Sequence, residues 1–234
     1  MDYIKLYGTK YGGFYLPNKM NIDKDSIIYC VGVGEDISFD IAMMDTYKCN
    51  TFLFDPTPRA CTHFNTIIGA IQNKIKIKYD KHWGGGDSNY LKYVIKPIDT
   101  SKIHYYNYGV YTDNNTLKFY EPVNKDHVSY TLDPTLRKVG KSINIPVKKL
   151  STIMKTLNHD EIDLIKLDIE GVESEVIIQM LDENIFPTYL CVDFDARRAN
   201  KKVDLFNKCM KKLEDNNYRM CHNENYNITF IKIK

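Results

Sequence analysis

Arginine is scarce in this 234-residue chain, with five (Arg59, Arg137, Arg197, Arg198 and Arg219) among 32 basic residues. Surfaces that read nucleic acid favour the bidentate guanidinium, and the net charge is only +2. Nothing here asks for a nucleic-acid partner. Cysteine occurs six times (Cys30, Cys49, Cys61, Cys191, Cys209, Cys221) but never as C-x-x-C. That spacing speaks against a zinc ribbon or disulfide framework and for buried, reduced thiols of a cytoplasmic protein. No apolar run approaches the ~20 residues of a membrane span, and "MDYIKLYGTK" has no signal-peptide core. Linkers rich in Pro, Gly or Ser and internal repeats are missing too. One soluble, intracellular domain over 1–234 is therefore expected, with its oligomeric state open. A composition 43% hydrophobic and 26% charged excludes disorder.

What the chain does have is "IDLIKLDIEG", Ile162 to Gly171. Ile165, Leu167 and Ile169 alternate with Lys166, Asp168 and Glu170, as on a strand with one apolar face and one charged face. Burying such charges costs free energy unless they are paired or used in chemistry. A structural ion pair is the plain alternative to a functional site, and Lys166 is the natural buried partner of Asp168.

Around this stretch, strands and helices alternate. After a polar lead-in over 1–25 comes "SIIYCVGVG", apolar enough for a strand buried on both faces. "EDISFDIAMMDTY" follows with Ile37, Ile41 and Met44 at helical spacing. "CNTFLFDPTP" is a second strand, closed by Asp55-Pro56. Ala60, Phe64, Ile67, Ile68 and Ile71 then form one stripe of a helix starting near Arg59. "KIKIKYD" has strand alternation and "HWGGGDSN" is a loop. "IHYYNYGVYT", "DNNT" and "LKFYEP" read as a strand leading into a hairpin-like extension. Residues 123–140 are polar and irregular, a candidate lid or substrate loop. Val147, Leu150, Met154 and Leu157 share a helical face; "TYLCVDFD" is a strand, "KKVDLFNKCMKKLEDNN" an amphipathic helix, and the tail two strands around Asn-rich turn residues. The expected fold is α/β and doubly wound, with a mostly parallel sheet and an antiparallel C-terminal pair.

Ligands of such sheets bind outside the carboxyl ends of the strands, and four of those ends are informative. "GVGED" sets Gly32 and Gly34 in a strand-to-helix turn that a ligand can approach closely. Ile37 stands where a dinucleotide fingerprint needs a third glycine, and Glu35 and Asp36 disfavour a pyrophosphate at that helix start. Asp55 lies 21 residues beyond Gly34, where an acid can accept hydrogen bonds from ribose hydroxyls; capping the next helix is its plainer role. Asp168 with Glu170, and Asp193 with Asp195, could share a hard cation such as Mg²⁺ or Ca²⁺, or supply a general base. Glu170 could equally cap a helix, and the adjacent Arg197-Arg198 could neutralise Asp193 or Asp195.

Together "GVGEDISFD", "LFDPTP", "YNYGVYTDNNTLKFYEP" and above all "LIKLDIEGVESEV" resemble the FkbM-type family of S-adenosylmethionine (SAM)-dependent methyltransferases. The resemblance runs from about Ile27 to Asp195 and implies a Rossmann-like class I methyltransferase fold, with seven strands and the C-terminal one antiparallel. It assigns Gly32, Gly34, Glu35 and Asp36 to the methionine end of SAM, Asp55 with Pro56 to the ribose, and Asp168 to the place where the methyl group meets its acceptor. Many relatives carry an acid just before the glycines; here Cys30-Val31 stand there, and Glu35 and Asp36 substitute. The implied acceptor is a hydroxyl of a sugar or glycan. Asp168 is expected as base or metal ligand, with Asp193 as a second ligand. His127, in "NKDHVSY", is an alternative base, and His82 a weaker one. Tyr108, Tyr111, Trp83 and Tyr120 could offer aromatic faces. An NAD(P)-dependent oxidoreductase or a non-catalytic binding module are the rival readings.

Overall fold

The computed structural model describes residues 4–74, 98–124 and 127–233. "KIKIKYD" beyond Lys74, "HWGGGDSN", His82 and Trp83 lie outside them. The chain opens with an antiparallel hairpin of β1 (Ile4–Tyr7) and β2 (Phe14–Pro17), then β3 (Ile27–Val31), α1 (Ser38–Tyr47), β4 (Asn50–Phe54), α2 (Pro58–Gln72) and β5 (Ile103–Tyr106). β6 (Gly109–Val110), β7 (Asn115–Pro122) and β8 (Val139–Lys148) form a separate three-stranded sheet. There follow α3 (Leu150–Leu157), β9 (Leu164–Leu167), α4 (Glu173–Asp182) and β10 (Tyr189–Asp193). The one-turn α5 (Asp195–Arg198), α6 (Val203–Asp215), β11 (Tyr218–Glu224) and β12 (Asn227–Lys232) complete the chain.

The main sheet has seven strands in the order β11-β12-β10-β9-β3-β4-β5. β5, β4, β3, β9 and β10 run parallel, and β12 inserts antiparallel between β10 and β11. This is the class I methyltransferase sheet the sequence implied. The chain winds outward from β3 through β4 and β5, then crosses back to β9 on the other side of β3. That reversal opens a crevice at the ends of β3 and β9, where such folds bind ligands.

The continuous apolar run of β3 is explained by two cores. Tyr29 and Val31 pack with residues of α3 and α4 on one face, and Ile28 and Cys30 with residues of α1 and α2 on the other. α2 begins with Pro58 in its first turn and buries Ala60, Phe64, Ile67, Ile68 and Ile71 as expected. α1 departs from expectation: it buries Phe39, Asp40, Met43 and Met44, with Ile41 only half-buried. Helical spacing alone could not show that a carboxylate would hold a core position. α3 starts at Leu150 rather than at Val147. Val147 is in β8, paired with Gly109 and Asn115, because the small sheet claims the residue that also suited the helix.

The lead-in is not merely polar. Tyr7, Phe14, Leu16 and Ile22 join the core; Phe14 meets Phe39 edge-on at 5.7 Å, and Thr229 Oγ1 donates to Tyr15 O at 2.8 Å. Residues 127–138 form an irregular strap that is firmly tied. Thr131 bridges Tyr120 and donates from Oγ1 to Glu170 O at 2.7 Å, and Lys202 pairs with Asp133 at 3.0 Å. Among the described residues no helix is long and apolar enough to cross a membrane.

Candidate active site

The ends of β3 and β9 are pressed together. Gly32 has φ +79°, and a Cβ there would lie 1.7 Å from the Asp168 carbonyl oxygen. Only glycine fits this junction. Asp168 N donates to Val31 O at 3.0 Å and Gly32 N to Phe54 O at 3.0 Å, so three strand ends converge on the turn.

Asp55 holds that turn. Its Oδ2 accepts from Val33 N and Gly34 N, both at 2.9 Å, and its Oδ1 from Thr57 N at 2.8 Å and Thr57 Oγ1 at 2.6 Å. A carboxylate offers about four acceptor positions, and the protein fills them all. Asp55 thus orders the loop against which a ligand would lie. Glu35, also buried, accepts from Arg59 Nε at 3.0 Å and Nη2 at 2.7 Å. Asp36 accepts from Ser38 N at 2.8 Å and from Thr9 Oγ1 at 2.5 Å.

The three charges of "KLDIEG" do not share a face. β9 ends at Leu167, so only Lys166 belongs to the strand. It lies between Cys30 and Cys191 in the sheet register, 1% exposed, and donates to Gly32 O at 3.2 Å. Asp40 of α1 contributes the largest charge attraction raising the Lys166 pKa, Asp168 the next, against the lowering effect of burial. The bond Lys166 makes is to the Gly32 carbonyl, and both oxygens of the buried Asp40 carboxylate have no hydrogen-bond partner among the described residues. Glu170, at φ +59°, turns to pair with Arg137. The helix-start role expected of Glu170 falls to Glu173, whose Oε1 accepts from Ile169 N at 3.2 Å and Gly171 N at 2.8 Å. Burial pushes the Glu173 carboxyl up to about 8.

Asp168 differs from its neighbours: its carboxylate accepts no hydrogen bond among the described residues and borders the pocket. Burial and then the charge of Asp193 push its pKa up to about 7, with Lys166 restraining the rise. Asp193 is held by Arg198, which also meets Asp195 at 2.8 Å. Burial, then Glu170 and Asp168, lift the Asp195 carboxyl to about 11. The carboxylates that come within 4.8 Å of one another are those of Asp168, Glu170 and Asp195. Asp195 thus takes the place in the cluster that the spacing had suggested for Asp193.

A pocket of about 750 Å³, counted to its open mouth, gathers Gly32, Gly34, Glu35, Asp36, Asp55, Pro56 and Asp168 along its wall. His127 and Asp193 are not in this wall. His127 is exposed, its carbonyl accepting from Arg59 Nη1 at 3.1 Å, while the adjacent Val128 does face the pocket. Tyr108 instead lies tilted against Phe54, ring centroids 5.6 Å apart, with Lys148 Nζ over its ring at 4.2 Å. Sequence reasoning missed Tyr11, Phe119 and Tyr130, which also line the wall. Only the glycine pair after Tyr11 hinted at a tight turn there.

This is a doubly wound α/β domain with a ligand pocket at its switch point. Residues 16–220 match the family model described as the methyltransferase FkbM domain. No curated protein matches the chain. Three solved structures resemble it at a distance. The fibrillarin pre-rRNA processing protein of Methanococcus jannaschii is 10% identical over 99% of this chain and 70% of that one, with a TM-score of 0.47. Aeropyrum pernix fibrillarin with natively bound SAM is 9% identical over 90% and 66%, TM-score 0.43. The precorrin-6y C5,15-methyltransferase of Geobacter metallireducens is 9% identical over 90% and 82%, TM-score 0.42. The family match covers most of the chain, and the chain belongs to the FkbM methyltransferase family. It is a SAM-dependent methyltransferase.

The pocket's residues suit SAM. Gly32 and Gly34 present backbone in the pocket wall, and acids at one end match the donor's positive charges.

Proposed function

We propose that this enzyme methylates a hydroxyl, most simply one on a sugar or glycan, with Asp168 as the general base. Bound SAM supplies an already activated methyl group. The protein's own task is to hold the acceptor in line, exclude water and take its proton. The observation that carries the reading is the Asp168 carboxylate, which alone among the pocket's acids is not consumed by hydrogen bonds of the protein. A carboxyl lifted to about 7 by burial and Asp193 is matched to taking a hydroxyl proton near neutral pH. It is preferred to His127, which lies outside the pocket wall.

The acceptor class comes from the family resemblance, and the charges of the site support it. Asp168, Glu170, Asp193 and Asp195 crowd one end of the site, and Arg137 and Arg198 are each bound to acids. A polyanion such as RNA would find both of these guanidiniums already engaged by acids. A neutral polyol would meet hydrogen-bond acceptors, with Phe119 and Tyr130 as apolar surfaces. A Mg²⁺ or Ca²⁺ ion is a second reading, favoured by the proximity of Asp168, Glu170 and Asp195. Arg137 and Arg198 would have to yield for an ion to enter. Transfer of labelled methyl from SAM to a panel of sugars, methyl glycosides and glycans, with RNA alongside and with and without chelator, tests these readings. Transfer to RNA and to none of the sugars would overturn the proposal, and loss of transfer in chelator would favour the cation.

A further inference from the structure

The turn joining β1 to β2 precedes the residues matched to the family, 16–220, and that match gives it no task. Yet Tyr11 and Gly12 form part of the wall of the pocket that Asp168 also lines. The turn is fixed to the start of α1. Thr9 N donates to Ser38 Oγ at 2.7 Å, Thr9 Oγ1 donates to Asp36 at 2.5 Å, and Tyr11 N and Gly12 N each donate to Thr9 Oγ1 at 3.2 Å. Gly12 lies so close to Asp36 that a Cβ would come within 2.9 Å of its Cγ. Tyr11 is thus an aromatic side chain on a constrained turn, still 49% exposed at the mouth of a ligand pocket. Asp36, Asp168 and Glu170 line the same pocket as Tyr11, and burial with their charges and that of Asp195 raises the Tyr11 pKa.

An aromatic ring among carboxylates attracts cations, through the ring quadrupole and through simple Coulomb attraction. The same setting repels phosphate and carboxylate groups. We propose that Tyr11 is a donor-binding residue that recognises the positive sulfonium of SAM and so distinguishes donor from product. This rests on the assignment of the pocket to SAM and adds to it a residue outside the family match. Methyl transfer leaves the sulfur as a neutral thioether in S-adenosylhomocysteine (SAH), because the electron pair of the broken S–C bond stays on sulfur. The attraction to Tyr11 therefore lapses on transfer, and product release is favoured.

Calorimetric titration of wild type, Tyr11→Leu and Tyr11→Phe with SAM and with SAH tests this without any acceptor. Tyr11→Leu keeps apolar bulk but loses the ring, and is expected to weaken SAM roughly tenfold and SAH by less than about threefold. Tyr11→Phe keeps the ring and is expected to stay within about twofold of wild type for both. Equal weakening of the two ligands by Tyr11→Leu, no weakening at all, or a Tyr11→Phe protein that behaves like Tyr11→Leu overturns the proposal. A wild-type protein that binds neither ligand refutes the donor assignment itself, a result distinct from an unchanged SAM-to-SAH ratio. Unchanged thermal unfolding of both variants confirms that the turn still folds.

Discussion

Replacing Asp168 by Asn keeps the shape of the side chain and removes both its charge and its basicity. Two effects of opposite sign follow. Loss of a general base lowers kcat by about 10²–10⁴, while SAH affinity changes by less than about threefold because no protein hydrogen bond is lost. Stability should rise, and the sign follows from proton linkage. The native carboxyl titrates near 7, the unfolded one near ~3.9, so between those values the native state binds more protons. Wild-type stability therefore falls as pH rises through that window, and the Asn variant escapes the loss. A rise of that size corresponds to at most about 4 kcal/mol at ~1.36 kcal/mol per pKa unit. Asp193 and Asp195 share the same repulsion, so a gain of about 1–2 kcal/mol at pH 8 is expected, vanishing near pH 4. Urea denaturation of both proteins at pH 4, 6 and 8, with methyl transfer measured alongside, gives both quantities. A variant that retains wild-type turnover, or a stability difference independent of pH, refutes the reasoning.

The wild-type rate should rise with pH through about 7 as Asp168 loses its proton, and a flat profile of kcat between pH 5.5 and 8.5 would contradict this. Gly32→Ala forces a methyl group into the Asp168 carbonyl and a side chain onto positive φ. Its expected cost is about 3 kcal/mol or more in thermal or urea unfolding. Lys166→Met leaves the Gly32 carbonyl without its buried donor and should cost about 1–3 kcal/mol in urea unfolding. Asp55→Ala leaves the N–H groups of Val33 and Gly34 without their acceptor and should destabilise the ligand-free protein by about 2–4 kcal/mol. If Asp55 served only a ribose, urea unfolding without ligand would show no change.

Much of the architecture was legible in the sequence because burial leaves periodic traces. β3 is apolar throughout since both its faces are covered, and α2 carries its stripe since one face is. The order of strands and helices then allows few sheets, and the glycines of "GVGED" mark where backbone must come close. Side-chain partners leave no such trace. Lys166, Asp168 and Glu170 are neighbours in sequence, yet the end of β9 sends them to the Gly32 carbonyl, to the pocket and to Arg137. Asp55 stands at a ribose-binding position by spacing, and its oxygens are taken by the turn it supports. Val147 satisfied a helical pattern that the small sheet overrode.

The sequence by itself determined the doubly wound sheet, the crevice at the ends of β3 and β9 and the family, because periodicity and motif order are local properties of the chain. Only the tertiary structure decided which acids are used up and that Asp168 is left to face the pocket. It also decided that Tyr11, more than 150 residues away, is brought into the wall of the same pocket. Hydrogen bonds, burial and charge repulsion depend on distances between segments remote in sequence, and those distances exist only once the sheet is assembled.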